Sequence, residues 1–270
     1  MSAGRVGAAP SPATRRIILI VVGVVFIIPI LSMIQFSLRQ GQTGRLGLSH
    51  YESIFAPANA GTYAILWQGL GNSLVICVIT VALILGLLLP TMILVELRYQ
   101  KFRSVLEFIC ILPITIPVVV LVVGFVPVYS IVARIFGSSP WTLAFAIGVI
   151  VLPFAFRPIS ANLRAFDIVT LTEASRSLGA GWGSVLWRVV LPNLRRGIAS
   201  ATFITIAVVL GEYTIASFLS QTTFQTALVL LQQTDPYVAT IFAVFALVFA
   251  FLLLLLIGRL GSVGRNRRTS

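Results

Sequence analysis

Apolar residues in this chain fall into six long runs separated by shorter polar stretches. Each run is close to the length of about 20 residues that a helix needs to cross the hydrocarbon core of a bilayer. The pattern therefore predicts six membrane-spanning helices, at about residues 17–38, 70–95, 105–132, 141–159, 197–219 and 237–257.

The first and third runs need interpretation. Arg15 and Arg16 precede the first run, but the run is long and no small-residue cleavage site follows it, which favours a retained anchor over a removed signal peptide. The third run contains three prolines and is still predicted as one helix, because neighbouring helices can satisfy the carbonyls that a proline frees. The predicted layout is an N-terminal tail at 1–16, a first helix at 17–38, a five-helix core at 65–257 and a basic tail at 258–270.

Composition agrees with a membrane protein. Hydrophobic residues make up 58% of the 270 residues, charged residues only 10%, and the mean hydropathy is +1.05. A soluble domain of this size could not hide so much apolar surface. The fold class predicted from the sequence is therefore an all-α integral membrane protein.

Basic residues predict the orientation. Of the 19 lysines and arginines, all but Arg39, Arg45 and Arg134 fall in segments on the same side as the N-terminus. Cytoplasmic loops carry such an excess, so both termini are predicted to lie in the cytoplasm. The net charge of +12 does not indicate nucleic-acid binding, because the basic residues do not interleave with aromatic residues on one domain.

The polar stretch between the fourth and fifth runs, at about 165–196, carries the most informative pattern. Thr170 and Glu173 have the spacing of a capping box, which predicts that a helix begins there. Gly179 can adopt a left-handed conformation and turn the chain. A second helix is predicted to end near Pro192, which would hold Leu191 in an extended conformation. Such a helix pair could dock on a soluble partner or lie on lipid headgroups.

This stretch resembles the loop signature of the permeases of binding-protein-dependent ABC importers, Glu-Ala-Ala-x3-Gly-x9-Ile-x-Leu-Pro. Two positions depart mildly, with serine for the second alanine and valine for the isoleucine. The positions that correspond to the signature are Glu173, Ala174, Ser175, Gly179, Val189, Leu191 and Pro192.

The resemblance implies the type I importer permease fold in a bacterial inner membrane. It implies that the loop couples the chain to ATPase subunits, and that the chain itself is a transport subunit and not an enzyme. The implied partners are two ATP-binding subunits, a second permease subunit that is identical or homologous, an extracytoplasmic substrate-binding protein and the lipid bilayer. ATP and magnesium would bind to the ATPase. The chain's lysine, Lys101, follows Gln100, so it does not form a phosphate-binding loop.

Glu212 is the clearest ionisable residue inside an apolar run, and such residues are functional candidates. Helical spacing would place it on one face with Thr205, and Tyr213 follows it directly. These three residues are the candidates for the substrate path. Glu212 could meet a cationic substrate, or it could cap or pair within the bundle. Nearer the predicted inner side, Arg103 and Glu107 are spaced for an ion pair within one helix.

The overall similarity is greatest to permeases of the spermidine/putrescine group, which implies a polyamine substrate. Importers of sulfate or molybdate, ferric ion, phosphonate and sugar remain alternatives. Two other classes are open: a secondary transporter that works without ATP, which would need a coupling-ion site at the membrane midplane, and a membrane scaffold for a cytoplasmic partner.

Overall fold

The computed structural model of the chain describes residues 11–41 and 45–262, with side chains as far as residue 256 in the last helix. The helices are α1 Pro12–Ser37, α2 Ser49–Phe55, α3 Ala60–Leu83, α4 Leu89–Arg98, α5 Arg103–Thr115, α6 Val118–Phe136, α7 Leu143–Ala165, α8 Ile168–Ser177, α9 Trp182–Val185, α10 Leu191–Gly211, α11 Thr214–Phe218, α12 Phe224–Thr234 and α13 Pro236–Ser262. Two short antiparallel strands, β1 Arg39–Gln40 and β2 Arg45–Leu46, join α1 to α2.

Six helical stretches within the described residues are long and apolar enough to span a bilayer, which confirms the predicted number. They are Pro12–Ser37, Pro57–Arg98, Val118–Phe136, Pro140–Ala165, Trp182–Gly211 and Pro236–Leu256. Several begin earlier than predicted. Helix α1 starts at Pro12 because the Ser11 side chain accepts a hydrogen bond from the Thr14 N–H. Residues 1–10 of the predicted N-terminal tail and 263–270 of the basic tail lie outside the described residues.

The third apolar run forms two helices, so the prediction of one helix at 105–132 was wrong. Helix α5 ends at Thr115, and α6 begins at Val118. Between them Ile116 is extended, with φ −99° and ψ 128°. The ring of Pro117 disfavours the helical conformation in the residue before it, which explains the break.

The fifth span shows the opposite outcome at a proline. A continuous helix runs from Trp182 to Gly211 through a π-helical turn at Leu186–Val190. Leu191 is helical, with φ −61° and ψ −41°, so the prediction of an extended Leu191 and a helix end near Pro192 was wrong. The Leu191 N–H bonds to the carbonyl of Leu186, and this wider turn accommodates a proline that has no N–H to donate.

A π-helical turn before a proline also joins α3 to α4. A π-helical turn at Ile84–Leu88 stands directly before Leu89 and Pro90, and the helix continues to Arg98. Each of these two π-helical turns is therefore followed at once by a Leu-Pro pair. The two longest spans of the core remain unbroken for this reason.

The main core lies between α3, α4, α7 and α10, and α7 is at its centre. Gly197 of α10 lets α10 approach α7 closely. A Cβ atom at this position would lie 2.9 Å from the carbonyl oxygen of Pro158 and 2.8 Å from Cβ of Asn162. A second apolar cluster joins α2, α3, α12 and α13 through buried residues such as Leu66, Phe224 and Ile241.

Helix α1 differs from the other spans because none of its most apolar stretch is buried. It is held to the bundle at its C-terminal end. There the Ser37 hydroxyl hydrogen-bonds to the Tyr51 hydroxyl at 2.8 Å. The rings of Phe36 and His50 both stack on the ring of Tyr237, with centroids 5.0 and 4.7 Å away.

Candidate functional site

Helix α8, which opens the motif stretch, begins at a different residue from the one predicted. Its N-cap is Asp167, whose carboxylate accepts hydrogen bonds from the N–H and the hydroxyl of Thr170, at 3.1 and 2.7 Å. Thr170 is therefore the third residue of the helix and not its cap, because an aspartate in the right position competes for the same N–H. These hydrogen bonds from the Thr170 side chain and backbone lower the pKa of Asp167.

Helix α8 has a buried face and an exposed apolar face. Ile168 and Thr172 are buried in the bundle. Leu171, Ala174 and Leu178 follow one another at helical spacing and are exposed, Leu178 to 89%. Together the three side chains form a small apolar stripe on the exposed side of α8.

The two motif residues beside this face have defined roles in the helix. The Glu173 side chain is exposed, and its carbonyl accepts a hydrogen bond from the Ser177 hydroxyl. Ser175, which replaces the second alanine of the signature, donates its hydroxyl to the Leu171 carbonyl at 2.7 Å. The serine is thereby satisfied within the helix and keeps the small size of the alanine.

Gly179 turns the chain at the end of α8, as predicted, with a φ of +83°. Its N–H bonds to the Arg176 carbonyl, and the Ala180 N–H bonds to the Ser175 carbonyl. This arrangement closes the helix with a left-handed residue, which glycine adopts without steric cost. No atom lies within 4 Å of the place where a Cβ would stand, so backbone conformation alone selects glycine here.

The remaining motif residues lie inside the long helix that follows the turn. Val189 belongs to its π-helical turn, and its carbonyl accepts a hydrogen bond from the Asn193 side chain at 2.7 Å. Leu191 and Pro192 continue this helix towards the bundle core. The motif therefore begins on an exposed helix and ends in a membrane-spanning one.

Glu212 lies where this spanning helix breaks. Helix α10 ends at Gly211, Glu212 is extended, and α11 begins two residues later. The carboxylate of Glu212, in a residue only 9% exposed, accepts hydrogen bonds from the N–H groups of Ile215 and Ala216 at 2.8 and 3.2 Å. Of the two interpretations of Glu212, these hydrogen bonds match the capping one.

The break also changes the positions of the other path candidates. The prediction that Thr205 and Glu212 share one helical face was wrong, because α10 ends at Gly211 and Glu212 is extended. Thr205 is fully buried and donates its hydroxyl to the Ala201 carbonyl. Tyr213 is 40% exposed, so of the three predicted path residues it has the most accessible side chain.

The acidic residues near the predicted inner side are paired differently from the prediction. Glu107 accepts from Arg164 at 3.0 Å, and Arg103 pairs with Glu96 at 3.3 Å. The predicted pair between Arg103 and Glu107 was wrong because the chain folds α7 and the end of α4 against α5. Each glutamate thereby meets a cation from another helix.

Two groups of contacts have no local signal in the sequence. The first joins α3 to the chain before α12. Asn72 donates to the Thr222 carbonyl at 2.8 Å, and Ser73 accepts from the Phe224 N–H at 2.9 Å. The second joins the motif stretch to α4, where Arg98 and Arg176 both lie over the ring of Trp182. Each group includes at least one contact between residues far apart in the sequence, as between Arg98 and Trp182.

Six helices of membrane-spanning length, with an exposed helix between the fourth and fifth, define a multi-pass membrane protein. Residues 82–263 match the family described as "Binding-protein-dependent transport system inner membrane component". The match covers more than half of the chain, so the chain belongs to this family. It is therefore a multi-pass inner-membrane component of a binding-protein-dependent transport system.

A segment of 78 residues is 35% identical to the protein named "Sulfate permease 2, chloroplastic" of Chlamydomonas reinhardtii. The aligned segment covers 29% of this chain and 21% of that relative. The chain thus aligns with about a fifth of the length of this curated relative.

Proposed function

We propose that this permease subunit receives its ATPase on the docking segment, which we define as residues 167–181, that is, α8 with its N-cap and the turn that follows it. The observation that carries the proposal is the exposed apolar face of α8, ending in Leu178. Apolar side chains at helical spacing on a short exposed helix are suited to a groove in a soluble protein.

The alternative for α8, a position on lipid headgroups, fits its charges less well. An interfacial helix typically carries lysines and arginines on its polar face, which attract anionic lipids. Helix α8 carries Arg176, but it also carries Glu173, and its N-cap is Asp167. The two acids oppose binding to an anionic surface, so we favour the protein partner.

In the proposed mechanism, two ATPase subunits bind ATP and magnesium, and their closure moves the docking segments of two permease subunits. An extracytoplasmic binding protein delivers the substrate. ATP and the loaded binding protein favour the outward-open state, and hydrolysis returns the complex to the inward-open state. Each ligand acts by binding one of the two global states more tightly.

Affinity purification of the tagged chain in mild detergent tests this assignment. We expect an ATPase to co-purify with the wild-type chain and to be lost with Gly179→Pro or Glu173→Lys. Proline cannot adopt the positive φ of residue 179, and the lysine reverses the charge beside the apolar face. Glu52→Lys is the matched control, since Glu52 is an exposed glutamate of α2 on the predicted outer side.

Two results would overturn the assignment. The first is a chain that remains alone after gentle crosslinking in cells. The second is ATP-independent uptake that persists in the Gly179→Pro variant, which would favour a secondary transporter.

For the substrate we propose a polyamine, on the resemblance to the spermidine/putrescine group. Glu212 adds no support, since both of its carboxylate oxygens accept hydrogen bonds from α11. The alternative is sulfate or a related oxyanion, which the similarity to the sulfate permease favours.

The co-purified binding protein separates these two substrates. A thermal shift with spermidine or putrescine, and none with sulfate or molybdate, would support the polyamine. The reverse result would replace it with the oxyanion.

A further inference from the structure

The ring of Trp182 lies between two arginines from different parts of the chain. The guanidinium carbon of Arg176 is 4.6 Å from the ring centroid, and that of Arg98 is 5.8 Å from it. Both distances fall within the range of cation–π attraction. The ring is 46% exposed, so it lies at the edge of the bundle and not in its core.

These three residues connect three different structural elements. Arg176 belongs to the last turn of α8, the helix with the exposed apolar face. Arg98 is the last residue of α4, which continues from α3 across the core. Trp182 is the first residue of the helix that ends at Gly211, the residue before Glu212. The ring of Trp182 therefore contacts both α8 and α4, and Trp182 itself is the first residue of the fifth span.

The close approach of Arg98 and Arg176 depends electrostatically on the indole ring between them. Two guanidinium groups that share one neighbour repel each other, and the negative face of an indole offsets part of that repulsion. The two ion pairs found among the described residues use Arg103 and Arg164, so neither Arg98 nor Arg176 pairs with a carboxylate there. Without the aromatic ring, we expect α8 and the end of α4 to move apart.

We propose that Trp182 is a positioning residue for transport, which makes α8, α4 and the fifth span move together when the ATPase closes. The proposal rests on the proposed docking of an ATPase at α8. It assigns to Trp182 a role in transmission and not in docking, because the exposed docking face is formed by Leu171, Ala174 and Leu178.

The test uses the complex with its co-purified ATPase in proteoliposomes and two readouts. The first is the rate of ATP hydrolysis. The second is the rate at which a membrane-impermeant maleimide labels Ser217→Cys, an exposed position of α11, compared between ATP-free and vanadate-trapped complexes. The chain without this substitution gives the background, since Cys77 and Cys110 are both buried.

The variants are Trp182→Leu, Trp182→Phe and, as the matched control, Trp187→Leu. Trp187 lies in the same helix and is 72% exposed, and no arginine of the described residues lies over its ring. We expect Trp182→Leu to reduce the nucleotide-dependent change in labelling by roughly fivefold, the size of effect that two exposed cation–π contacts can produce. ATP hydrolysis should persist, Trp182→Phe should restore much of the change, and Trp187→Leu should behave as wild type.

Each failure has its own signature. If the chain with Ser217→Cys alone shows no ATPase and no nucleotide-dependent labelling, the proposed docking fails. If that chain responds and Trp182→Leu responds equally, only the role of Trp182 is overturned. Equal losses in Trp182→Phe and Trp182→Leu would indicate a packing role and would also overturn it.

Discussion

The chain interrupts its helices in two chemically different ways on either side of the fifth span. At Gly179 the backbone turns with a positive φ, and the helix end is closed by backbone hydrogen bonds alone. At Glu212 the apolar fifth span itself ends, and the buried carboxylate accepts hydrogen bonds from two N–H groups in the first turn of α11. The first break needs no side chain, whereas the second depends on one.

The difference reflects what surrounds each break. Near Gly179 water can satisfy backbone groups that lack a partner, so the turn needs only a residue that tolerates the left-handed conformation. Within an apolar bundle an unsatisfied N–H is costly, and a side chain must take the place of water. We therefore interpret Glu212 first as the residue that permits the break, and the accessible Tyr213 beside it as the better candidate for contact with the substrate.

The largest effect should come from Glu212→Ala, which leaves two buried N–H groups unpaired. Each unsatisfied buried donor costs about 1–3 kcal/mol, so the free energy of unfolding should fall by roughly 2–6 kcal/mol. Thermal unfolding of the purified chain in detergent measures this change. Glu212→Gln retains one acceptor oxygen and should lie between Ala and wild type, while Tyr213→Phe should be close to wild type. A Glu212→Ala chain as stable as wild type would contradict the capping role.

The second largest effect should come from Gly69→Ala, at the close contact between α3 and the segment after the helix break at Glu212. A Cβ on Gly69 would lie 2.5 Å from the carbonyl oxygen of Thr223. Gly69→Ala should therefore cost about 1–3 kcal/mol, as overpacking does elsewhere. Gly71→Ala in the same helix is the control, because no atom lies within 4 Å of its Cβ position. Equal melting temperatures for the two variants would show that this contact can relax.

Gly179→Ala should have a smaller effect, confined to the docking segment. The space around residue 179 is open, so only the positive φ opposes alanine, at about 1–2 kcal/mol. We expect the affinity for the ATPase to fall about tenfold and the melting temperature of the membrane bundle to stay unchanged. Titration of the purified ATPase against the chain in nanodiscs measures the affinity. A loss of bundle stability instead would show that the turn is part of the core.

The smallest effect should come from Asp167→Asn at the start of α8. Hydrogen bonds from Thr170 lower the pKa of Asp167 in the folded chain, so its stabilisation of the helix is fully present above the pKa of the unfolded chain. That stabilisation is lost as the pH falls through the lowered pKa, which lies below the ordinary aspartate value of about 4. At neutral pH Asp167→Asn should weaken ATPase binding slightly, because asparagine is also a good N-cap, and Asp167→Ala should weaken it more. Equal binding by all three chains at neutral pH would show that the cap is dispensable.

Much of the fold could be predicted because several apolar runs of membrane length in one chain are typical of membrane-spanning helices. The helix breaks could not, and the prolines show why. The helix breaks at Pro117, whereas at Pro192 the helix continues, directly after a π-helical turn. Whether the preceding turn can widen depends on packing along the whole helix, which the residues next to the proline do not reveal.

The motif stretch was predicted better than its contacts. The turn at Gly179 and the helix before it were predicted from local sequence patterns. The predicted N-cap was Thr170, but Asp167, three residues earlier, caps the helix. The ion pair of Glu107 with Arg164 and the contact of Trp182 with Arg98 join residues that are distant in the sequence. Only the assembled helices bring them together. The orientation and the partners stay predictions from the basic residues and the family.

The unbroken helix from Trp182 to Gly211 has a mechanical consequence. Its 30 residues, at 1.5 Å per residue, make a rod about 45 Å long. If such a rod pivots near one end, a tilt of about 10° displaces the other end by roughly 8 Å, by the geometry of a straight helix of that length. A small rotation at the tryptophan end would thus become a displacement at Glu212 comparable to the width of a small solute. The fifth span can therefore act as a lever whose long arm ends at the break.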